Sequence, residues 1–320
     1  MTTLPSLRWG LIGAARIAQS ALIPALRAAG QEVVAVAARD PAKADVFANA
    51  NGLAAHTSYE ALIADPSLDA VYIALTNDAH LKWTVAALDA GKHVLCEKPL
   101  ALTAPEVETM RAAEARSGRL VMEAFCHIFH PRFADIVAGV RDGVLGELVT
   151  LEASFTNPLL DDTDFRWQRA RGGGAAYDLL GYCTTLATLI VGRQPESVVA
   201  RQTLHGEVDI ATATVLDFGT CFATLQSSFI GARQQRLALI GTGDMLVLDH
   251  PIGNKNRELI LDLGGTRRTY PPVDPYQLMV EDFVRAVAGE GRLTFDSAAS
   301  LAQAQLMDRI RRAAAEGMAT

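Results

Sequence analysis

The chain has 320 residues, more than one hydrophobic core usually fills, so we expect two domains. Half of the residues are hydrophobic and 20% are charged, which excludes a disordered chain. The net charge is −7, and this makes nucleic acid and anionic membrane surfaces poor partners.

The cysteines and the first residues indicate a cellular compartment. The four cysteines stand far apart and form no Cys-x-x-Cys pair, which favours neither a disulfide framework nor a zinc site. The amino terminus shows no basic region followed by an apolar stretch, and no stretch of about 18 uninterrupted apolar residues occurs. We therefore predict a cytoplasmic protein without a signal or a membrane span.

The first part of the chain alternates short apolar runs with helical patterns, which predicts a parallel sheet with crossover helices. The predicted strands are Leu7–Ile12, Val33–Ala38, Val71–Ala74, His93–Glu97 and Leu120–Ala124. A helix follows the third strand, with Asn77 or Asp78 as its cap and Gly91 at its end. Thr103 and Glu106 form a capping-box pattern that predicts a second helix, which ends at Gly118.

From about residue 145 the apolar runs are separated by glycine-containing turns, which predicts a mostly antiparallel sheet in an α+β domain. The predicted strands are Leu148–Phe155, Ser197–Gln202, Thr212–Phe218, Cys221–Phe229, Arg236–Ile240 and Leu246–Leu248. Further helices are predicted at about Ala175–Val191, at Tyr276–Ala288 and at Ala298–Ala315. We place the domains at residues 1–124 and 125–320, and the carboxy-terminal helices could pack back on the first domain.

A relaxed dinucleotide fingerprint follows the first strand. Gly13 supplies the tight turn, Ala18 fits the position where a helix packs closely on a strand, and Ala15 replaces the glycine that approaches the pyrophosphate. Arg16 and Ile17 lie in the first turn of the predicted helix, whose N–H groups can hold a pyrophosphate. The alternative is a tight turn that binds no ligand.

Arg39 and Asp40 follow the second strand, where dinucleotide-binding folds distinguish their cofactors. The guanidinium of Arg39 suits the 2′-phosphate of NADP, whereas Asp40 leaves some capacity for NAD. We predict a preference for NADP; a plain surface pair of Arg39 and Asp40 is the alternative.

The fourth strand leads into Glu97-Lys98-Pro99, at the edge where parallel sheets bind their ligands. Pro99 could hold a cis bond that re-aims Lys98 toward the crevice, although a solvated lysine would occupy the same position. Downstream, Asp178 and Tyr182 are four residues apart and share one face of a predicted helix. Polar groups within an apolar helix need partners, and a ligand crevice provides them.

These motifs together resemble the Gfo/Idh/MocA family of oxidoreductases, and the resemblance extends over essentially the whole chain. It rests on Gly10–Gly13, Leu75–Asn77 followed by His80, Glu97–Pro99, Met122–Phe125 and Gly172–Asp178. The resemblance implies an amino-terminal Rossmann domain, a second domain with an open antiparallel sheet that often forms a homodimer or homotetramer, and a position for Lys98 near nicotinamide and substrate. Many members carry histidine where this chain has Tyr182. With tyrosine at that position and Arg39 after the second strand, the chain resembles the branch of dimeric dihydrodiol dehydrogenase and NADP-dependent D-xylose dehydrogenase. It also resembles NDP-sugar 3-ketoreductases.

Hydride transfer to or from an alcohol carbon needs a partner for the hydroxyl proton. We predict Tyr182 as the acid/base, with Lys98 as a neighbouring cation that favours the phenolate; Lys98 could instead be the primary proton donor. Asp178 would orient this pair or a second substrate hydroxyl.

Other polar residues have secondary expected roles. The resemblance suggests that Thr76 and Asn77 line the nucleotide, and that Glu97 belongs to the cofactor edge. His80 either joins them or packs its helix. His127 and Trp167 are candidate substrate residues, although Trp167 suits the core or a crevice wall better than a sugar platform. The Glu123, His127 and His130 set predicts no metal site, because Pro131 breaks the helix that would align it.

The favoured function is an NADP-dependent dehydrogenase or reductase that acts on a sugar or cyclic polyol. An NDP-sugar 3-ketoreductase and a non-catalytic dinucleotide sensor on the same fold remain alternatives. The exact substrate, its stereochemistry and the physiological direction do not follow from the sequence.

Overall fold

The computed structural model describes residues 4–252 and 257–318. Within them the chain forms two compact units. The first runs to Cys126 and also includes Tyr276–Leu301; the second comprises His127–Pro275 and continues from Ala302. The sequence-based division at residues 124 and 125 is a single cut, whereas the structure groups a later segment with the first unit.

A six-stranded parallel sheet forms the centre of the first unit, in the order β3-β2-β1-β4-β5-β6. Its strands are β1 (Arg8–Ile12), β2 (Glu32–Ala37), β3 (Ala54–His56), β4 (Ala70–Ile73), β5 (His93–Cys96) and β6 (Val121–Glu123). Every residue of β4 and β5 is buried, as continuous apolar strands covered on both faces require. This strand order is that of the Rossmann fold, and the predicted doubly wound α/β class is confirmed. Such sheets bind ligands at the carboxyl ends of the strands, between β1 and β4.

Five helices connect these strands. They are α1 (Ile23–Ala28), α2 (Pro41–Asn51), α3 (Tyr59–Ile63), α4 (His80–Asp89) and α5 (Ala104–Ser117). The predicted capping box is confirmed at α5, where the Thr103 hydroxyl accepts from the Glu106 N–H and the Glu106 carboxylate accepts from the Leu102 N–H at 2.8 Å. The predicted end of α4 at Gly91 is confirmed, with a φ of +78°, but the predicted caps at its start, Asn77 or Asp78, are wrong. A 3₁₀ turn, Asn77–Ala79, precedes the helix, and the cap residue Ala79 makes no side-chain bond.

The second unit contains a six-stranded sheet in the order β12-β11-β7-β10-β9-β8 and a separate hairpin of β13 and β14. The strands are β7 (Leu148–Thr156), β8 (Ser197–His205), β9 (Val208–Asp217), β10 (Phe222–Ser228), β11 (Gln234–Gly241), β12 (Met245–Asp249), β13 (Leu259–Leu263) and β14 (Thr266–Tyr270). Only the β7–β10 pair is parallel among the neighbours of the six-stranded sheet. The mostly antiparallel sheet that the sequence predicts is therefore confirmed.

Helices α6 (Pro131–Arg141) and α7 (Gly181–Val191) belong to this unit. The apolar face of α7 packs on one face of the sheet, where Leu186 and Ile190 join a buried cluster with Leu151 and Leu225. The chain then continues through α8 (Pro275–Val287) and α9 (Ser297–Met318). The α8 ring of Phe283 contacts Trp9 of β1 at a centroid distance of 5.4 Å, within the first unit.

Two short segments of the described chain are π-helical. Residues Ala18–Leu22, before α1, and Ala176–Leu180, before α7, form π-helical turns, which are frequent at functional sites. Among the described residues, the stretch Arg169–Val191 is long and apolar enough to cross a membrane, but 67% of its apolar window is buried, as in the core helix of a folded unit.

Candidate functional site

Gly13 lies where β1 ends, between β2 and β4. Its N–H donates to the Ala37 carbonyl at 2.9 Å, and its φ is +109°. A Cβ at this position would lie 2.4 Å from the carbonyl oxygen of Ala74, so only glycine fits the close passage past β4. Helical structure begins at Arg16, which is exposed, and Ala18 is fully buried. The turn and the helix start therefore present backbone N–H groups at the position where the fingerprint predicts a pyrophosphate. We call this turn the Gly13 cradle.

Arg39 and Asp40, which follow β2, differ in their contacts. Both are exposed. The Asp40 carboxylate accepts from the Ala42 N–H at 3.0 Å and so caps α2. A carboxylate used in this way is less available to ribose hydroxyls, which leaves Arg39 as the side chain that can meet a 2′-phosphate.

Tyr59, which the sequence did not single out, lies beside Arg39, and Trp83 lies against Tyr59. The Tyr59 hydroxyl hydrogen-bonds the backbone of Arg39; partial burial raises the pKa of Tyr59, and the Arg39 bond and charge oppose this rise. The Tyr59 ring meets Trp83 edge-on at 4.8 Å, and the Lys82 ammonium lies 4.3 Å from the Trp83 ring centre. This aromatic support could not be found from spacing, because α3 and α4 are distant in sequence.

Glu97 and Lys98 follow β5 directly and are half-buried. The hydroxyl of Tyr72, a fully buried β4 residue, donates to the Glu97 carboxylate. Burial and then the Glu97 charge raise the pKa of Tyr72, so it remains a donor. The Lys98–Pro99 peptide bond is cis. Lys98 thus lies at the carboxyl edge of the sheet, beside a carboxylate that β4 holds in place.

The imidazole ring of His80 contacts two backbone segments. Its ring is fully buried, with Nδ1 2.8 Å from the Pro99 carbonyl oxygen and Nε2 3.2 Å from that of Leu75. Burial lowers the pKa of His80, so the ring is neutral at pH 7 and its single N–H donates to one of these two carbonyls at a time. The ring therefore lies between the loop at Leu75–Asn77 and the turn after Lys98 and is buried there. Within that loop, Thr76 is half-buried and Asn77 is 7% exposed.

Glu123 holds the same turn from β6. It is 2% exposed, and its Oε1 accepts from the Leu100 N–H at 2.9 Å. Burial raises the pKa of Glu123 to about 7, although the Leu100 bond, the Ser300 hydroxyl and the Lys98 cation oppose the rise. From the sequence, Glu123 is considered only as a metal ligand, and that role is rejected. Its contact with the turn that follows Lys98 is not predicted.

The described residues include no group of three or more His, Cys, Asp or Glu side chains that could hold a metal. The imidazole of His130 caps α6, where Nδ1 accepts from the Arg132 N–H at 3.1 Å. Burial and then the Arg132 charge lower the pKa of His130 to about 4. His130 therefore has a structural role at the start of this helix.

In the second unit, Asp178 is paired with Arg166. The Arg166 Nε lies 3.0 Å from a carboxylate oxygen of Asp178, and its Nη1 lies 3.2 Å from Asp164. Burial disfavours the charge of Arg166, but Asp178 and Asp164 raise its pKa overall. The sequence missed this partner, because the glycine-rich turn at residues 172–174 separates the two side chains.

Tyr182, at the start of α7, is half-buried among aromatic rings. His127 lies 5.1 Å away and Phe155 lies 5.4 Å away between ring centres, both at steep interplanar angles. His127 is only 2% exposed. Its ring therefore supports Tyr182 from the protein interior, whereas the sequence predicted that it faces substrate.

Comparisons with known proteins agree with this architecture. Residues 7–125 match an oxidoreductase family with an NAD-binding Rossmann fold, GFO_IDH_MocA, and residues 133–247 match the GFO/IDH/MocA C-terminal domain. A D-xylose 1-dehydrogenase (NADP(+)) from Haloferax volcanii is 35% identical over 97% of this chain and 98% of its own.

A dTDP-3,4-didehydro-2,6-dideoxy-α-D-glucose 3-reductase from Streptomyces antibioticus is 34% identical over 96% of each chain. A 3-ketoreductase from Actinomadura kijaniata, solved in complex with NADP and TDP-benzene, superposes with a TM-score of 0.90 at 30% identity and covers 97% of this chain and 98% of its own. The chain therefore belongs to the Gfo/Idh/MocA family of oxidoreductases.

Proposed function

We propose that this enzyme transfers a hydride between NADP and a hydroxyl or ketone carbon of a sugar or cyclic polyol. The observation that carries the proposal is the half-buried Lys98 at the carboxyl edge of a Rossmann sheet, the same edge at which Gly13 forms its turn. The relatives that act on xylose and on a dTDP-linked sugar support the substrate class.

Cofactor choice follows from the end of β2. Arg39 offers a planar cation for a 2′-phosphate, and Asp40 is engaged in capping α2. We infer a preference for NADP over NAD, with NAD as the weaker cofactor. The NADP-bound ketoreductase structure supports this inference.

In the proposed mechanism the bound cofactor supplies or accepts the hydride at its nicotinamide. When an alcohol is oxidised, its O–H proton passes to the Tyr182 oxygen or the Lys98 nitrogen, and reduction of a ketone reverses that transfer. Asp178 is held by Arg166, so its proposed role is to orient a substrate hydroxyl from a fixed position.

The experiment measures nicotinamide absorbance with a panel of aldoses and polyols for the wild type, Tyr182→Phe and Lys98→Met. Each variant is expected to lower kcat by about 10²-fold or more, because each removes a proton-transfer group. Fluorescence titration with NADPH checks that cofactor binding survives. Near-native turnover in both variants would refute the assignment of Tyr182 and Lys98 as proton-transfer groups. Tight NADPH binding by the wild type without turnover of any sugar or nucleotide-linked sugar would contradict the proposed hydride transfer.

A second candidate is a 3-ketoreductase for a nucleotide-linked sugar. It is favoured by the dTDP-sugar reductase and the TDP-benzene complex among the relatives. Including a dTDP-linked ketosugar in the substrate panel separates the two candidates.

We further propose a cytoplasmic homodimer or homotetramer. All four cysteines are buried as free thiols, which suits a reducing compartment. The outer face of the six-stranded sheet carries exposed apolar side chains that support an interface with a second copy.

A further inference from the structure

The second unit contains a pocket that the proposed reaction does not use. It lies between the segment after β7 and the tip of the β8–β9 hairpin, with a volume of about 650 Å³. That volume is in the range of small-molecule sites. Trp167 and Leu159 form apolar parts of the wall, and the polar parts include Asp162, Gln168 and Glu207.

Trp167 is held in place by the protein. Its indole N–H donates to the Asp161 carbonyl at 2.9 Å. Its ring meets Phe229 at 5.8 Å and His205 at 5.9 Å between centroids, both edge-on. The ring is partly exposed, so a preformed aromatic surface is presented without ordering cost.

The polar wall favours a neutral ligand that is rich in hydroxyl groups. Asp162, Gln168 and Glu207 are exposed, and over residues 4–252 and 257–318 no hydrogen bond or ion pair engages their side chains. Carboxylates and amides accept hydrogen bonds from hydroxyls. The lining includes two carboxylates and one guanidinium, that of Arg169, so a diphosphate would meet net repulsion.

This wall is joined to the helix that carries the proposed catalytic residues. Trp167 packs against the buried cluster of Ala175, Leu179 and Phe229, and Arg166, its neighbour in sequence, binds Asp178. Trp167 and the segment that carries Asp178 are therefore packed together.

We propose that this pocket is a subsite for a second, non-reacting sugar unit, so that the enzyme binds neutral disaccharides or glycosides more tightly than monosaccharides. The inference rests on the proposed function for the identity of the substrate, but its binding step can be measured without turnover.

The test titrates the protein with cellobiose, maltose and xylobiose, with glucose and xylose as monosaccharide references, and with TDP as a charged probe. Trp9 is fully buried and Trp83 is 8% exposed, so ligand-induced fluorescence change reports mainly on Trp167, and calorimetry gives the Kd. At least one disaccharide is expected to bind about 10-fold more tightly than its monosaccharide.

Variants locate the binding. Glu207→Gln and Asp162→Asn should each weaken disaccharide binding about 3- to 10-fold, and Trp167→Ala should weaken it more than 10-fold. Glu147→Gln, which changes an exposed carboxylate before β7, is the matched control and should leave the Kd unchanged. Because the two carboxylate positions are exposed, their variants test the pocket even if Trp167→Ala disturbs the fold.

The outcomes separate this inference from the proposed function. Disaccharide binding that depends on Glu207 supports the subsite even if no sugar is oxidised. Monosaccharide turnover without tighter disaccharide binding overturns the subsite alone. TDP binding that the pocket variants weaken also overturns it, because the pocket would then be a nucleotide site.

Discussion

Arg39 and Asp40 are neighbours with different tasks at the end of β2. The Asp40 carboxylate accepts a hydrogen bond from the first turn of α2. Tyr59, on α3, contacts the backbone of Arg39. The side chain of Arg39 is exposed. The proposed preference for NADP therefore rests on one guanidinium rather than on the overall field of a protein whose net charge is −7.

Arg39→Ala is expected to lower kcat/KM for NADP about 10- to 100-fold, because a charge-assisted contact with the 2′-phosphate is lost. The value for NAD should change little, since NAD has no 2′-phosphate. Steady-state kinetics with both cofactors measures the ratio. Arg116→Ala, which removes an exposed arginine that pairs with Asp89 on α4, is the control. A wild-type kcat/KM for NAD that equals or exceeds the value for NADP would contradict the predicted preference.

Glu123 makes stability depend on pH. Its pKa is about 7 in the folded protein and near 4.5 when unfolded. The folded state therefore holds a proton that the unfolded state has released, and stability falls as pH rises from about 4.5 to 7 and stays lower above that.

Glu123→Gln keeps an oxygen to accept from Leu100 and removes the titration. Relative to the wild type, the variant should gain roughly 1–3 kcal/mol in unfolding free energy between pH 5 and pH 8. Urea denaturation at four pH values in this window measures the difference, with Glu290→Gln as an exposed control in the same unit. Parallel stability curves for wild type and Glu123→Gln would disprove the buried titration.

At the scale of elements, β9 fixes the start of the helix that carries Asp178 and Tyr182. Asp209 of β9 accepts from the Ala176 N–H at 2.8 Å and from the Thr212 hydroxyl at 2.9 Å. Gly174 has a φ of +118°, and a Cβ there would lie 2.2 Å from the Asp209 carboxylate. The glycine-rich turn therefore lets a buried carboxylate reach the π-helical segment.

Asp209→Ala should destabilise the protein by about 2–4 kcal/mol, because two buried donors lose their acceptor. Thr212→Ala, which removes one donor and leaves the Ala176 bond, should cost about 1 kcal/mol. Chemical denaturation measures both values, and turnover by Asp209→Ala is expected to fall as the helix start loosens. A loss below 0.5 kcal/mol in Asp209→Ala would show that the turn does not need this carboxylate.

The elements that could be predicted are those with strong local patterns. The buried strands β1, β4 and β5 are continuous apolar runs, and α5 begins with a capping box. Strand β3 was not predicted, because its first two residues, Ala54 and Ala55, are exposed on a three-residue edge strand. The β13–β14 hairpin was not predicted either, because β14 is exposed except at Tyr270.

The candidate site was predictable only in part. Lys98, Gly13 and Arg39 follow strands, and strand ends can be located from sequence. The Asp178 partner, the Glu123 anchor and the burial of His127 depend on residues brought together by tertiary packing, such as Arg166 and Leu100. The π-helical turns have no distinguishing composition, so the register from Asp178 to Tyr182 could not be derived.

At the scale of the whole molecule, the outer face of the six-stranded sheet opposes the face covered by α7. Its exposed apolar side chains are Val199, Val215, Phe222, Ile240, Met245 and Val247. Cross-strand register places Val199 opposite Val215 and Ile240 opposite Met245. Apolar side chains exposed on one face of a sheet can mark an association site, and a second copy of the chain is the partner that the family resemblance suggests.

Val215→Lys places a charge on this face, beside Val199, where a symmetric interface would bury it twice. We expect the wild type to run as a dimer or tetramer in size-exclusion chromatography with light scattering, and Val215→Lys to shift toward monomer at micromolar concentration. Val46→Lys is the matched control, because Val46 is 70% exposed on α2 and belongs to the first unit rather than to this sheet. A monomeric wild type, or an oligomer that Val215→Lys leaves intact, would show that this face is not the interface.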